Sequence, residues 1–265
     1  MAPHSAGPST PAATITALDE KLTDADTKAP ARFFDEHHLT PDNLPYWLVN
    51  VPHAQWLSEC PPFLKDQPPK NIKCLSTPDS NYQRQNWDVV QEIIRTNRID
   101  RFQRVPSDLR KYLEYTAHIK AKYGSVMRFV VKERLGWGDG DTKDLKPRGG
   151  LFQYTEDICT LYNDWPYGID TDIIHLVVWT KFELPDDPAT GELTAEAHQA
   201  IDQYVQQTFC SRVPTDQVVW FKNWKSLKSV HAVEHFHVML HQPDMAFVKE
   251  ITRGDVPLIE KVTTY

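Results

Sequence analysis

Four runs of β-type residues separated by one helical stretch fill the second half of this 265-residue chain, and nothing else in it restricts the fold as much. Residues 157–162, 173–180, 217–221 and 234–240 are rich in β-branched and aromatic side chains. Between the second and third runs, Thr194 is placed to cap a helix reaching Phe209, with an apolar stripe of Ala197, Ile201, Tyr204, Val205 and Phe209. The order strand, strand, helix, strand, strand suits an antiparallel sheet with the helix across one face, an α+β domain.

The first half reads as helix and wrap. Asn86 can cap a helix carrying Val89, Val90, Ile93 and Ile94. Ser107 is read as the cap of a second helix over 108–122, bearing Leu109, Tyr112, Leu113, Thr116 and Ile119 and ending at Gly124. Residues 125–135 fit helix or strand and are read as helix closed by Gly136, followed by a charged, glycine-bearing loop over 138–150. Prolines at 41, 45, 52, 61, 62, 68 and 69 forbid long regular elements before Lys73, and residues 46–51 form a short strand or a strap over the core. Residues 1–31 hold too few large apolar groups to offset the entropy of ordering them, so a disordered tail is expected before a single domain spanning 32–265. The expected architecture is thus an antiparallel sheet with a helical N-terminal layer.

Composition narrows the partners. A formal charge of −7 gives no drive toward nucleic-acid backbone or anionic lipid. No apolar run approaches the roughly 18 residues of a membrane helix, and no signal peptide is evident at the start. A cytoplasmic protein is expected, with the nucleus left open. Cys60, Cys74, Cys159 and Cys210 lack CxxC spacing, which argues for reduced, buried thiols rather than a zinc knuckle.

The chemistry concentrates in Ser229–His241, where four histidines and one glutamate fall within thirteen residues. In a strand of period two, Val233, His235, His237 and Met239 share a face, so two imidazoles stand side by side. An imidazole partly neutral near pH 7 can attack phosphorus through one ring nitrogen, while a cationic neighbour steadies the developing charge. Lys181, Lys222, Lys225 and Lys228 could add a basic rim, with Arg148 a weaker contributor. A second reading makes His231, His235 and His237, with Glu234 and His241, ligands of a divalent transition metal such as zinc, iron or copper; otherwise no cofactor is expected. The plain alternatives are a solvated sheet face for the histidine pair, a core histidine for His175 and a simple turn for Asp164-Trp165-Pro166.

Two resemblances bear on this segment. Asn163-Asp164-Trp165-Pro166-Tyr167-Gly168, Ile174-His175-Leu176-Val177-Val178-Trp179-Thr180-Lys181, Trp220-Phe221-Lys222-Asn223-Trp224 and Glu234-His235-Phe236-His237-Val238 together resemble the fungal N-acetylglucosamine-induced protein family. Over 151–242 the order of parts is also similar to the histidine triad superfamily of nucleotide hydrolases and transferases. That likeness implies a HIT-like sheet, His235 as nucleophile, His237, Asn223 and Ser229 at the phosphate, and Asp164 on ribose hydroxyls. His175 and Lys228 join them as candidate ligand-binding residues. The implied ligand is a small phosphorylated metabolite, a nucleotide or nucleotide sugar, bound by an enzyme or by a non-catalytic sensor, with a homodimer left open. The chain departs from the superfamily signature: Val233 stands where the first histidine belongs, Glu234 follows it, and Trp224, Lys225, Leu227 and Lys228 replace glycines.

Overall fold

The computed structural model describes residues 39–40, 43–141, 143, 145–224 and 233–262. The expected tail therefore lies outside the described residues, as do Lys225, Lys228, Ser229 and His231. Four strands form one antiparallel sheet: β1 (Ile158–Tyr162), β2 (Ile173–Thr180), β3 (Val218–Phe221) and β4 (Glu234–His241), in the order β1-β2-β4-β3. All four fall where the β-branched runs predict, within a residue at each end.

Register divides the side chains between two faces. Trp179 pairs with His235, Val177 with His237 and His175 with Met239, while Phe221 is opposite His237 from the other side. These residues share one face. Leu176, Val178, Phe236, Val238 and Leu240 lie on the other, where they are sealed by the α-helix Ala195–Thr208, described here as α5. Thr194 accepts a hydrogen bond from the Ala197 backbone N–H at 3.2 Å, and Ala197, Ile201 and Val205 are buried as the stripe predicts. Replacing the fully buried Ile201 by alanine is expected to destabilise the fold by about 2–5 kcal/mol. A urea midpoint shifted at unchanged slope would show it.

The first face carries the helical layer. Helices α1 (Pro69–Leu75), α2 (Trp87–Arg95), α3 (Pro106–Tyr123) and α4 (Val126–Phe129, continued as a π turn through Arg134) precede the sheet. Val90 and Ile93 of α2 pack with Phe102, Phe221 and Met239, whereas Tyr115, Ile119, Phe129 and Val130 of α3 and α4 pack with Leu161, Trp165 and Val233. Asn86 caps α2 through Val89 N–H at 3.0 Å, and Gly124 ends α3 at φ +79°. Two starts differ from expectation for one reason. Proline fixes φ near the helical value and lacks an N–H that the first turn would leave unbonded, so Pro69 and Pro106 open helices instead of breaking them. Ser107 therefore sits inside α3, its N–H donating to Asp79 at 3.0 Å. Residues 46–51 are a strap of turns, with Leu48 buried and Arg110 donating to the Trp47 carbonyl at 2.7 Å. Two short helices, α6 (Met245–Ile251) and α7 (Leu258–Lys261), close the described chain. No helix among the described residues is long and apolar enough to cross a membrane.

Candidate active site

Because β2 and β4 are adjacent and their facing side chains are in register, His175, His235 and His237 meet beneath the helical layer, each about 95% buried. A solvated sheet face is thereby excluded. His175 Nε2 lies 3.0 Å from His237 Nδ1, and His237 Nε2 lies 3.0 Å from Asn223 Nδ2. Asn163, on the turn after β1, places Nδ2 3.2 Å from His175 Nε2, while its Oδ1 accepts from the Trp165 N–H at 3.0 Å.

Two amides orient this network, Asn163 through that last bond and Asn223 through its Nδ2 on His237. With Oδ1 of Asn163 taken by a backbone donor, its Nδ2 faces the His175 ring, 3.2 Å from Nε2 and 3.4 Å from Nδ1. Because Asn223 Nδ2 can only donate, His237 accepts at Nε2 and donates through Nδ1 to His175 Nε2. His235 is settled separately, since its Nδ1 is 2.9 Å from the Val233 carbonyl, which can only accept. In an uncharged His235 ring that bond places the proton on Nδ1 and the lone pair on Nε2. Trp179 lies against this ring, with centroids 4.5 Å apart.

Burial favours uncharged imidazole. His175 is lowered to about 3, by burial and then by the field of Arg104. His237 is held well below the ordinary histidine range by burial, then by His175, His235 and Arg104. The expected cationic partner in the histidine pair is corrected accordingly: at rest His237 is a neutral, hydrogen-bonded ring.

The positive charge comes instead from Arg104, which composition and spacing did not single out. Its guanidinium lies 4.1 Å over Tyr112 and 5.6 Å over Tyr167, and its Nε donates to the Trp165 carbonyl at 3.0 Å. No carboxylate of the described residues forms an ion pair with it. Arg104, Tyr112, Asn163, Tyr167, Asn223, His235 and His237 together line a cavity of about 120 Å³. Asn223 Oδ1 is buried there without a partner among the described residues. A confined space with one guanidinium and an amide oxygen unpartnered among the described residues can hold an anionic group that also donates a proton.

The other candidates are placed differently. Asp164 lines a second cavity of about 80 Å³ that shares Arg104, Tyr112, Asn163, Val177 and Trp179 with the first. Its oxygens are engaged by Arg134 at 2.8 and 2.9 Å and by the Leu258 N–H of α7 at 3.1 Å. Arg134 also grips Asp255 through two bonds of 2.9 and 2.8 Å. Burial works against the Arg134 charge, and the two carboxylates outweigh it and keep the guanidinium charged. The lysine rim does not form among the described residues: Lys222 pairs with Asp186 and Glu234 at 2.7 and 3.3 Å, and Lys181 sits 3.9 Å from buried Asp157. Arg148 pairs with exposed Glu156. For the metal reading, no group of three or more His, Cys, Asp or Glu among the described residues is arranged to hold an ion, and His231 lies outside them. His175 and His237 turn nitrogens toward each other rather than toward a common point.

Comparison with known proteins agrees with the part of the chain that builds this cavity. The family described as "Protein of unknown function (DUF3605)" matches residues 86–241. N-acetylglucosamine-induced protein 1 of Candida albicans is 29% identical over 184 residues, covering 63% of this chain and 72% of its own length. An uncharacterized protein of Saccharomyces cerevisiae, YPL067C, is 28% identical over 172 residues, covering 64% and 85%. Among solved structures, one titled "Crystal Structure of HTC1" superposes with a TM-score of 0.52 at 24% identity, over 65% of this chain and 98% of that one. At that identity the likeness speaks to the fold alone.

Proposed function

We propose, from the premise that this chain belongs to the DUF3605 family, that the histidine cavity binds the phosphate of a nucleotide or nucleotide sugar and that His235 attacks it, as in histidine triad hydrolases and transferases. The carrying observation is the bond from His235 Nδ1 to the Val233 carbonyl, which leaves the lone pair of the neutral ring on Nε2.

In the proposed reaction that lone pair forms a bond to the α-phosphorus as the bond from phosphorus to the leaving oxygen breaks. The ring becomes a phosphorylated imidazolium whose charge is spread toward Nδ1–H and the Val233 carbonyl. Arg104 offsets the charge of the equatorial oxygens, and Asn223 Oδ1 accepts from a hydroxyl of the ligand or of water. Water or another acceptor then attacks phosphorus, its proton passes through solvent to the leaving oxygen freed in the first step, and the N–P electron pair returns to Nε2. His175 and His237 are positioning residues in this scheme. Asp164 holds the wall of the cavity through Arg134, a departure from the ribose role that the superfamily resemblance implies.

Arg104→Ala is expected to lower kcat/KM toward a responsive nucleotide sugar about 100-fold, the scale of one well-placed charged donor. Thermal shift against a panel of nucleotides and nucleotide sugars, followed by ³¹P NMR of products, measures both halves. A panel in which no compound raises the melting temperature, or an Arg104→Ala protein that responds like the parent, would remove the proposal.

A further inference from the structure

On its outer side Asn223 also lines a groove of about 400 Å³, within the range of small-molecule sites. Resting on the phosphate reading above, we infer that this groove is the subsite for a neutral pyranose, so that the ligand carries a hexose beyond its phosphate.

Two indoles form its walls. Trp224 is 36% exposed, and its Nε1–H is held by Asn97 Oδ1 at 3.0 Å, while Asn97 Nδ2 donates to Glu192 at 3.0 Å. Trp220 donates to Asp202 at 2.8 Å, and His198, 2.9 Å from the other oxygen of Asp202, leans on the Trp220 ring with centroids 4.9 Å apart. Both ring edges are therefore anchored by hydrogen bonds; because His198 rests on Trp220, the exposed Trp224 is the ring that offers a flat face to a pyranose, with Trp220 at its side.

Charge decides the ligand class. Asp186 and Glu192 line the groove, and Lys222 is already neutralised by Asp186 and Glu234. Among the described residues, a phosphate placed in the groove itself would meet carboxylates without a surplus cation, whereas hydroxyls can donate to those carboxylates and accept from Asn97. Asn223 reaches both compartments, so a phosphate beside His235 and a sugar against Trp224 would flank one amide.

The test uses the full chain and two probes. Methyl α-D-glucopyranoside, which has no phosphate, is titrated while the indole N–H resonances are followed, assigned with Trp224→Phe and Trp220→Phe. Calorimetry then compares α-D-glucose 1-phosphate with inorganic phosphate. The glucoside is expected to shift both indoles. The sugar phosphate is expected to bind about tenfold tighter than phosphate, a margin that Trp224→Ala erases without changing phosphate affinity. Indoles that ignore the glucoside, or a margin that survives Trp224→Ala, would overturn the subsite. Indoles that shift in a protein that ignores inorganic phosphate would uphold the groove and overturn the phosphate reading alone.

Discussion

Replacing His235 by alanine is expected to lower turnover of a responsive nucleotide sugar by at least about 10³-fold while leaving the ligand's Kd within a few-fold of the parent value. Removing a nucleophile eliminates the covalent route entirely, whereas the groups proposed to hold the phosphate, Arg104 and Asn223, stay in place. The buried ring contributes packing against Trp179, so the variant will also lose some stability, and turnover must be measured below its own melting transition. His235→Asn keeps a polar side chain of smaller size and should be equally inactive. A non-catalytic sensor would behave differently: affinity preserved in both variants and no rate to lose in the parent. If the alanine variant turns over at the parental rate, His235 is not the nucleophile.

Acid is expected to unfold this protein earlier than its carboxylates alone would require. His175 and His237 are lowered in the folded state, His175 to about 3 by burial and His237 well below the ordinary range, against about 6.5 in the unfolded chain. Between the folded and unfolded values the unfolded state binds more protons, so stability rises with pH there. The contribution is complete above about pH 6.5 and is lost as pH falls toward the folded values. Each pH unit crossed costs about 1.4 kcal/mol for one histidine, so the drop from pH 6.5 to 4.5 removes roughly 2 kcal/mol through His175, and His237 acts in the same direction. Urea midpoints across that window would show it, and a double His175→Gln, His237→Gln protein should have a much flatter profile. A parent midpoint constant from pH 7 to 4.5 would mean that these rings are solvated or already charged.

Period-two and period-3.6 patterns made the sheet, α5 and the caps at Asn86 and Thr194 legible, because those patterns are imposed by burial on one side of an element. The same alternation placed His235 and His237 on one face. What it could not say is what lies over that face. Burial of the histidines depends on α2, α3 and α4 folding back across the sheet, a relation between segments far apart in the chain. Arg104 was overlooked for the same reason, since a basic residue two positions before Pro106 carries no periodic signal and acquires its meaning from Tyr112, Tyr167 and the Trp165 carbonyl. The superfamily resemblance implies a ribose role for Asp164, whereas its contacts run to Arg134 and to α7, a four-residue helix too short to carry a periodic signal. Proline was read only as a breaker, which shifted the start of α3 and hid α1.

Mass spectrometry of the protein quenched in alkali during a single turnover tests the nucleophile most directly, because a phosphorus–nitrogen bond on histidine survives base and is lost in acid. The expected result is a nucleotidyl or phosphoryl adduct located on His235 and absent from His235→Ala. An adduct on another residue, or efficient turnover with none on His235 where attack by the acceptor is the slow step, would contradict it.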